Sequence, residues 1–414
     1  MRHTDVIIVG GGQAGLAMSR SLTALGVDHV VLERGRIGER WHSERWHSLN
    51  LLTTAAMSAL PGMSHAGDPS AFMPARQFAS YLTSYARAMD VPVIDGADVI
   101  AVEWIAGAYR VTTCAGQWNA RAVVIATGAC DTPYRPATAE GLSSKLFQIF
   151  PADYRSPAQL PEGGVLVVGA SSSGAQLAEE IHASGRPVTL SVGDHVRMPR
   201  HYRGFDVYAA MELAGILDER PAAPGNFESA RRQPSLQVVG RADNRDLNLG
   251  ILSRQGIRLV GRLAAMKGTK VEFSADLAQT IEKSHLRMVR TLDRIDDCFR
   301  REGISAPAAD PAARSPFAAS SEQQTLDLFR VGIRSVVWAT GYIRRYPWLK
   351  IPVLDRHGEI IHRGGVTGAL GLYAIGLNFM RRRRSAFIDG CGYDAEELAP
   401  LVRDRLPLTA RQAA

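Results

Sequence analysis

The 414-residue chain has only four cysteines, Cys114, Cys130, Cys298 and Cys391, and no two form a Cys-x-x-Cys pair. That scatter excludes a redox dithiol and gives no support to a zinc knuckle. It fits a reducing compartment, so a cytoplasmic setting is expected. Long apolar runs are missing as well: none approaches the ~18–20 residues that cross a bilayer. The first residues run straight into the apolar stretch Val6–Val9, too short for a signal peptide. Neither a membrane span nor a leader is therefore expected. No acid–base pair or nucleophile triad stands out. His42 and His47 lie five residues apart, which does not align two imidazoles on one helix face, so no metal site is expected.

The charge is basic, with 48 Lys and Arg against 41 Asp and Glu, a net +7 and a pI near 9.4. The basic residues are spread out, apart from Arg381–Arg384, and no nucleic-acid motif accompanies them. A nucleic-acid partner is not expected, because polyanionic small ligands would themselves favour a basic cleft. With 46% hydrophobic and 21% charged residues the composition is that of a globular enzyme, and the length suits two domains.

What is present is a pair of Gly-rich turns. Val6-Ile7-Ile8-Val9 leads into Gly10-Gly11-Gly12-Gln13-Ala14-Gly15, and Val165-Leu166-Val167-Val168 into Gly169-Ala170-Ser171-Ser172-Ser173-Gly174. Each is a buried-type strand, a turn of small residues and a helix start, an order that brings backbone N–H groups up to a pyrophosphate. Two such turns a domain apart point to two dinucleotides held at once. After the first, a helix over Ala14–Leu25 and a strand over His29–Leu32 end at Glu33, where a carboxylate can take adenosine ribose hydroxyls. A solvated strand-end glutamate is the plainer alternative. After the second, the matching strand ends at Val192, with Arg197, Arg200 and Arg203 beyond it. A missing acid with guanidinium groups nearby favours a 2′-phosphate, hence NADP(H), although Asp194 could still take a ribose hydroxyl.

Two further strands end alike, Ala122–Ile125 in Ala126-Thr127-Gly128 and Ser335–Trp338 in Ala339-Thr340-Gly341. Their positions predict an α/β fold of two Rossmann-like dinucleotide-binding domains, the second inserted into a discontinuous first: residues 1–158, an insert over 159–333, and a return over 334–414. Within the insert, Leu277, Ile281, Val289, Leu292, Ile295 and Phe299 recur at helical spacing and predict a long amphipathic helix from Ala275 to about Glu302. Its apolar face is expected to pack on its own domain, with a homodimer contact or substrate lid as alternatives. Residues 303–321, rich in Ala, Pro and Ser, read as an irregular connection.

These residues give the chain a resemblance to the flavin-containing monooxygenases. It rests on the Gly10–Gly15 turn, Glu33-Arg34, the stretch from Arg40-Trp41 through Arg45 to Leu51, Leu60-Pro61-Gly62, and Phe72-Met73-Pro74. Ala126-Thr127-Gly128 with Pro133, the second Gly turn and Trp338-Ala339-Thr340-Gly341-Tyr342 complete it. The likeness is weak over 205–330. One departure stands out: Phe150 occupies the place of a family histidine, while Tyr154 fits.

The resemblance implies FAD in the 1–158/334–414 domain and NADPH in the insert. The FAD residues would be Gly10, Gly12, Gln13, Ala14, Gly15, Glu33, Arg34, Trp41, Arg45, Leu51, Thr127, Gly128, Gly376 and Asn378. The remaining cofactor-binding residues, on the NADPH side, would be Gly169, Ser171, Ser172, Ser173, Gly174, Arg197, Arg200, Thr340 and Gly341. It further implies a monooxygenase that uses a C4a-peroxyflavin to place one atom of O2 on a small organic substrate. The alternative is an NADPH-dependent flavin reductase or oxidase without oxygen insertion. Asn50 and Thr53 are the candidates for a hydrogen bond to the flavin or a peroxide oxygen, or else are satisfied loop residues. The Arg381–Arg384 run is open between an anion contact and a solvated basic turn.

Overall fold

A computed structural model describes residues 2–220, 231, 233–318 and 324–406. Two sheets carry it, one mixed with a parallel centre and one all parallel. The first starts with β1 (Arg2–Val9), helix α1 (Gln13–Ala24) and β2 (His29–Leu32), followed by helix α2 (Ala75–Ala88) and β3 (Val93–Ile94). A meander of β4 (Val99–Ile105), β5 (Ala108–Thr113) and β6 (Gly116–Ile125) then returns the chain to the sheet centre. β6 pairs in parallel with β1, which pairs in parallel with β2, and β2 with β3. The apolar run Val6–Val9 is buried throughout because a central parallel strand has helices or core on both faces. α1 turns Ala14, Leu16, Ala17, Met18 and Leu22 onto that sheet.

The second sheet repeats the plan with β7 (Phe147–Ile149), β8 (Gly164–Val168), helix α3 (Ser172–Ala183), β9 (Val188–Ser191), β10 (Arg258–Val260) and β11 (Ile333–Trp338). Its order is β10-β9-β8-β11-β7, all parallel. The expected return to the first domain at 334 is therefore displaced. β11 lies between β8 and β7, and Phe147–Ile149, expected in the first domain, also belongs here. The reason is that each Ala-Thr-Gly strand braces the Gly-rich turn of its own sheet, β6 beside β1 and β11 beside β8. The chain passes between the sheets at the antiparallel pair Thr132–Pro133 and Tyr342–Ile343. It then closes the first sheet with β12 (Leu372–Ala374), parallel to β6, and helix α5 (Gly390–Asp404) against α1.

The long insert helix, α4 (Leu277–Arg301), forms as expected and packs on its own domain. Leu277 and Ile281 join the core of the second sheet, while Met288, Leu292, Ile295 and Phe299 join a satellite core with Met198, Tyr202, Val207 and Met211. Residues 304–318 are irregular apart from the 3-10 turn Pro311–Arg314, where Arg314 pairs with Asp293 and Asp296. The end of the expected connection, 319–321, lies outside the described residues.

Candidate active site

The two turns use glycine for the same two purposes. Gly10 has φ of +113°, and a Cβ there would stand 2.7 Å from the carbonyl oxygen of Ala126. A Cβ on Gly15 would stand 1.9 Å from the Gly10 carbonyl oxygen. In the second turn Gly169, at φ +106°, would put a Cβ 2.3 Å from the Ala339 carbonyl, and Gly174 would put one 1.8 Å from that of Gly169. These four glycines exist so that strand, turn and helix can touch. Gly12 differs: a Cβ there meets nothing within 4 Å, because the residue faces a cavity. A cradle that is tight on the protein side and bare on the cavity side fits a pyrophosphate.

That cavity holds about 590 Å³ and runs from the end of β2 past both helix starts into the insert. Gly10, Gly12, Gln13, Ala14, Glu33, Arg34, Thr127 and Gly128 border it, together with Ala97, Asp98 and Val99. The last three were not foreseen from sequence, since nothing in their types announces a binding role. Glu33 is almost fully buried, and its carboxylate accepts from Gly11 N–H at 2.6 Å and Gly35 N–H at 2.9 Å. Two fixed backbone donors hold the acid in place while leaving it capacity for a ligand hydroxyl.

Further in, Trp41 donates its indole N–H to Gln13 at 3.2 Å, and the Arg45 guanidinium lies 4.8 Å above the Trp41 ring. Asn50, Leu51 and Thr53 border the same stretch. The Asn50 amide donates to the Gly240 carbonyl at 2.8 Å, and Thr53 shares a 2.8 Å hydrogen bond with Ser58, both hydroxyls being buried. The two candidate catalytic groups thus already have protein partners. Gly376, at φ +75°, lets the end of β12 approach Ala14, whose Cβ would lie 2.6 Å from a Gly376 Cβ. Asn378 borders the cavity and reaches the Arg231 carbonyl at 3.4 Å.

The second turn opens on the same cavity only through Ser172 and Ser173. A strap, residues 233–240, lies along it. Ser171 donates to Ser235 O at 3.1 Å, Ser172 to Val238 O at 3.3 Å, and Gln237 to Ala170 O at 2.7 Å. Gly240 presses the strap onto the first domain, where a Cβ would sit 2.0 Å from Leu51 O. Thr340 and Gly341 are kept outside the cavity: Thr340 donates to Tyr134 O, and Gly341 O accepts from Tyr134 N–H at 2.9 Å.

The arginines offered for a 2′-phosphate do not reach that place. Arg200 is fully buried, paired with Asp206 and donating to Leu52 O at 2.9 Å. Arg197 is turned to Ser315 O at 2.7 Å. A guanidinium deep in the insert core satisfies a buried acid and cannot meet a ligand. The cations beside the end of β9 are instead Arg262 and Lys283, 3.5 and 3.8 Å from Asp194 and about half exposed. Lys283 comes from α4, far along the chain, so sequence spacing could not reveal it.

Phe150 leaves the domain contact intact by other means. Trp46 sits in the core of the second sheet, His47 N–H donates to Arg155 O at 3.0 Å, and the Tyr154 hydroxyl donates to Glu180 at 3.1 Å. Arg381–Arg384 is neither a solvated turn nor a free anion site. Arg381 and Arg382 pair with Glu397, Arg383 with Glu219, and buried Arg384 with Glu212 and Asp389. The cluster ties α5 to the insert. No group of three or more metal-ligating side chains exists among the described residues, and no described helix is long and apolar enough to cross a membrane.

Asp394 in this cluster is fully buried, 3.5 Å from Arg382 Nε, and burial pushes its carboxyl up to about 6 despite Ser385 and Arg382. An acid raised in the folded state stabilises below its unfolded value near 3.8, and that contribution is lost as pH rises through 6. Asp394→Asn is expected to raise stability at pH 8 by roughly 1–3 kcal/mol and to change little at pH 4. Melting curves at the two pH values check this; equal effects at both would refute the assignment.

Residues 7–204 match the pyridine nucleotide-disulphide oxidoreductase family. An oxidoreductase CzcO-like from Geobacillus kaustophilus is 32% identical over 404 residues, covering 96% of this chain and 98% of its own length. The chain belongs to the CzcO-like oxidoreductases. The enzyme also shares 30% identity over 213 residues, about half of each chain, with indole-3-pyruvate monooxygenase YUCCA1 of rice. Its fold is that of a flavin-containing monooxygenase from Stenotrophomonas maltophilia, with a TM-score of 0.68 at 20% identity over 98% of this chain and 99% of the other. With the CzcO-like relative matched over nearly its whole length, the protein is an oxidoreductase.

Proposed function

We propose that the enzyme is an NADPH- and FAD-dependent monooxygenase that transfers one atom of O2 to a small organic substrate. The observation that carries this reading is the single cavity reached by both helix starts, Gly12–Gln13 and Ser172–Ser173. When bound there, a flavin supplies hydride acceptance and oxygen activation, chemistry that needs no acid–base pair from the protein.

The chain's part is position and dryness. The Gly10–Gly15 backbone and the α1 N-terminus take the FAD pyrophosphate, and Glu33 takes its ribose. Ser172 and Ser173 open the second helix to the NADPH phosphates, with Arg262 and Lys283 placed for a 2′-phosphate. Trp46, Leu49, Leu51 and Leu52 wall the middle of the cavity against water. Asn50 holds the strap down through Gly240, and in this reading it keeps the middle closed.

The test is stoichiometric. Holoprotein given NADPH, oxygen and thioanisole should yield oxygenated product in proportion to NADPH consumed. All consumed oxygen recovered as H2O2, across sulfides and ketones alike, would make it an oxidase instead. Asn50→Ala should raise the H2O2 share roughly three- to tenfold by loosening the strap; an unchanged share removes Asn50 from that role.

A further inference from the structure

The insert end of the cavity is bordered by Leu52, Tyr208, Met211, Leu217, Phe387 and Ile388. Tyr208 is the polar member. Its side chain is nearly all buried, at 4% exposure. Its backbone N–H donates to Asp206 at 2.9 Å, the Arg200 guanidinium lies 5.5 Å from its ring, and Phe387 meets it edge-on at 5.4 Å and 90°. The ring is thus clamped, and Tyr208 stands in the cavity wall, where its hydroxyl is open to whatever fills the cavity and not spent on a described side chain. A tyrosine hydroxyl in a largely apolar cavity wall normally finds a partner, and one that the fold leaves open can donate its hydrogen bond to a ligand instead of to water. Burial also pushes this phenol up to about 12, so it is a neutral donor across the working range.

The cations at this end are engaged. Arg383 pairs with Glu219 and donates to Gln233, and Arg231 lies 3.0 Å from His362. The wall therefore offers an apolar surface and a neutral donor in a fixed direction.

We propose that Tyr208 determines substrate choice: its hydroxyl donates to a single neutral acceptor on an aryl-sized apolar molecule packed against Met211, Leu217 and Phe387. The inference rests on the monooxygenase reading for what becomes of that molecule, but the recognition is separate and is measured without NADPH or oxygen. Oxidised holoprotein is titrated with acetophenone and with α-methylstyrene, its near-isostere in which a methylene replaces the carbonyl oxygen. Flavin absorption changes and ligand-induced shifts in melting temperature report binding.

The wild type is expected to bind acetophenone roughly tenfold more tightly. Tyr208→Phe should bind both alike, with its α-methylstyrene affinity unchanged. Met211→Trp, which fills the same wall, should weaken both probes together. A wild type that does not discriminate, or binds neither probe, overturns the proposal, and so does discrimination that survives in Tyr208→Phe. Discrimination in a protein that only makes H2O2 would strike the monooxygenase reading and leave the role of Tyr208 standing.

Discussion

Gly15→Ala is expected to yield a colourless protein, whereas Gly174→Ala should yield a yellow one that NADPH no longer bleaches. The contrast follows from two contacts of the same kind in different sheets. A methyl on Gly15 would lie 1.9 Å from Gly10 O, and one on Gly174 would lie 1.8 Å from Gly169 O. In each case the obstacle is backbone, so the helix start must move away from its strand, and overpacking of this kind costs about 1–3 kcal/mol or more. The same movement spoils the array of N–H groups that meets the phosphates. A loss of roughly a hundredfold or more in FAD affinity is expected for Gly15→Ala, and of similar size in NADPH affinity for Gly174→Ala. Flavin content after gel filtration and the anaerobic rate of flavin reduction by NADPH separate the two. Equal flavin content in both variants would remove FAD from the first turn. Reduction of Gly174→Ala at the wild-type rate would remove NADPH from the second.

Those turns were readable in the sequence because their chemistry is local: the strand, the small residues and the helix start lie within about a dozen positions. The Ala-Thr-Gly strands were readable as strands for the same reason, but not as members of a particular sheet. Parallel pairing is settled by which turn the strand braces, and Ala126 and Ala339 declare that only through their contacts with Gly10 and Gly169. The strap was invisible for a different reason. Ser235, Val238 and Gly240 take part through their carbonyl oxygens, and a carbonyl has no sequence signature. Charged residues misled in both directions. The Arg381–Arg384 run looked available and is spent on Glu397, Glu219, Glu212 and Asp389. Arg262 and Lys283 carried no signal although they stand beside Asp194 at the end of β9, which is why they are the proposed cations for a 2′-phosphate. Charge is legible in a sequence, but the acid that neutralises it comes from elsewhere in the fold.

Arg200 is where that distinction has its largest measurable consequence. Its guanidinium is wholly buried, paired with Asp206, bonded to Leu52 O at 2.9 Å, and set 4.9 Å from the Phe72 ring and 5.5 Å from that of Tyr208. Arg200→Met keeps much of the volume but strands the Asp206 carboxylate, which also caps Tyr208 N–H at 2.9 Å. Breaking a buried pair from one side costs about 3–5 kcal/mol. A fall of several degrees in melting temperature is expected, with partial recovery on adding Asp206→Asn, since the uncompensated charge is then gone. Preference for NADPH over NADH should stay as in the wild type, because the residue does not face the second cradle. A phosphate ligand would behave in the opposite way: stability would hold and the preference would drop by tenfold or more, at roughly 1.4 kcal/mol per decade. Arg262→Ala and Lys283→Ala are expected to show that second pattern, and a normal preference in both would leave the 2′-phosphate without a cation in this fold.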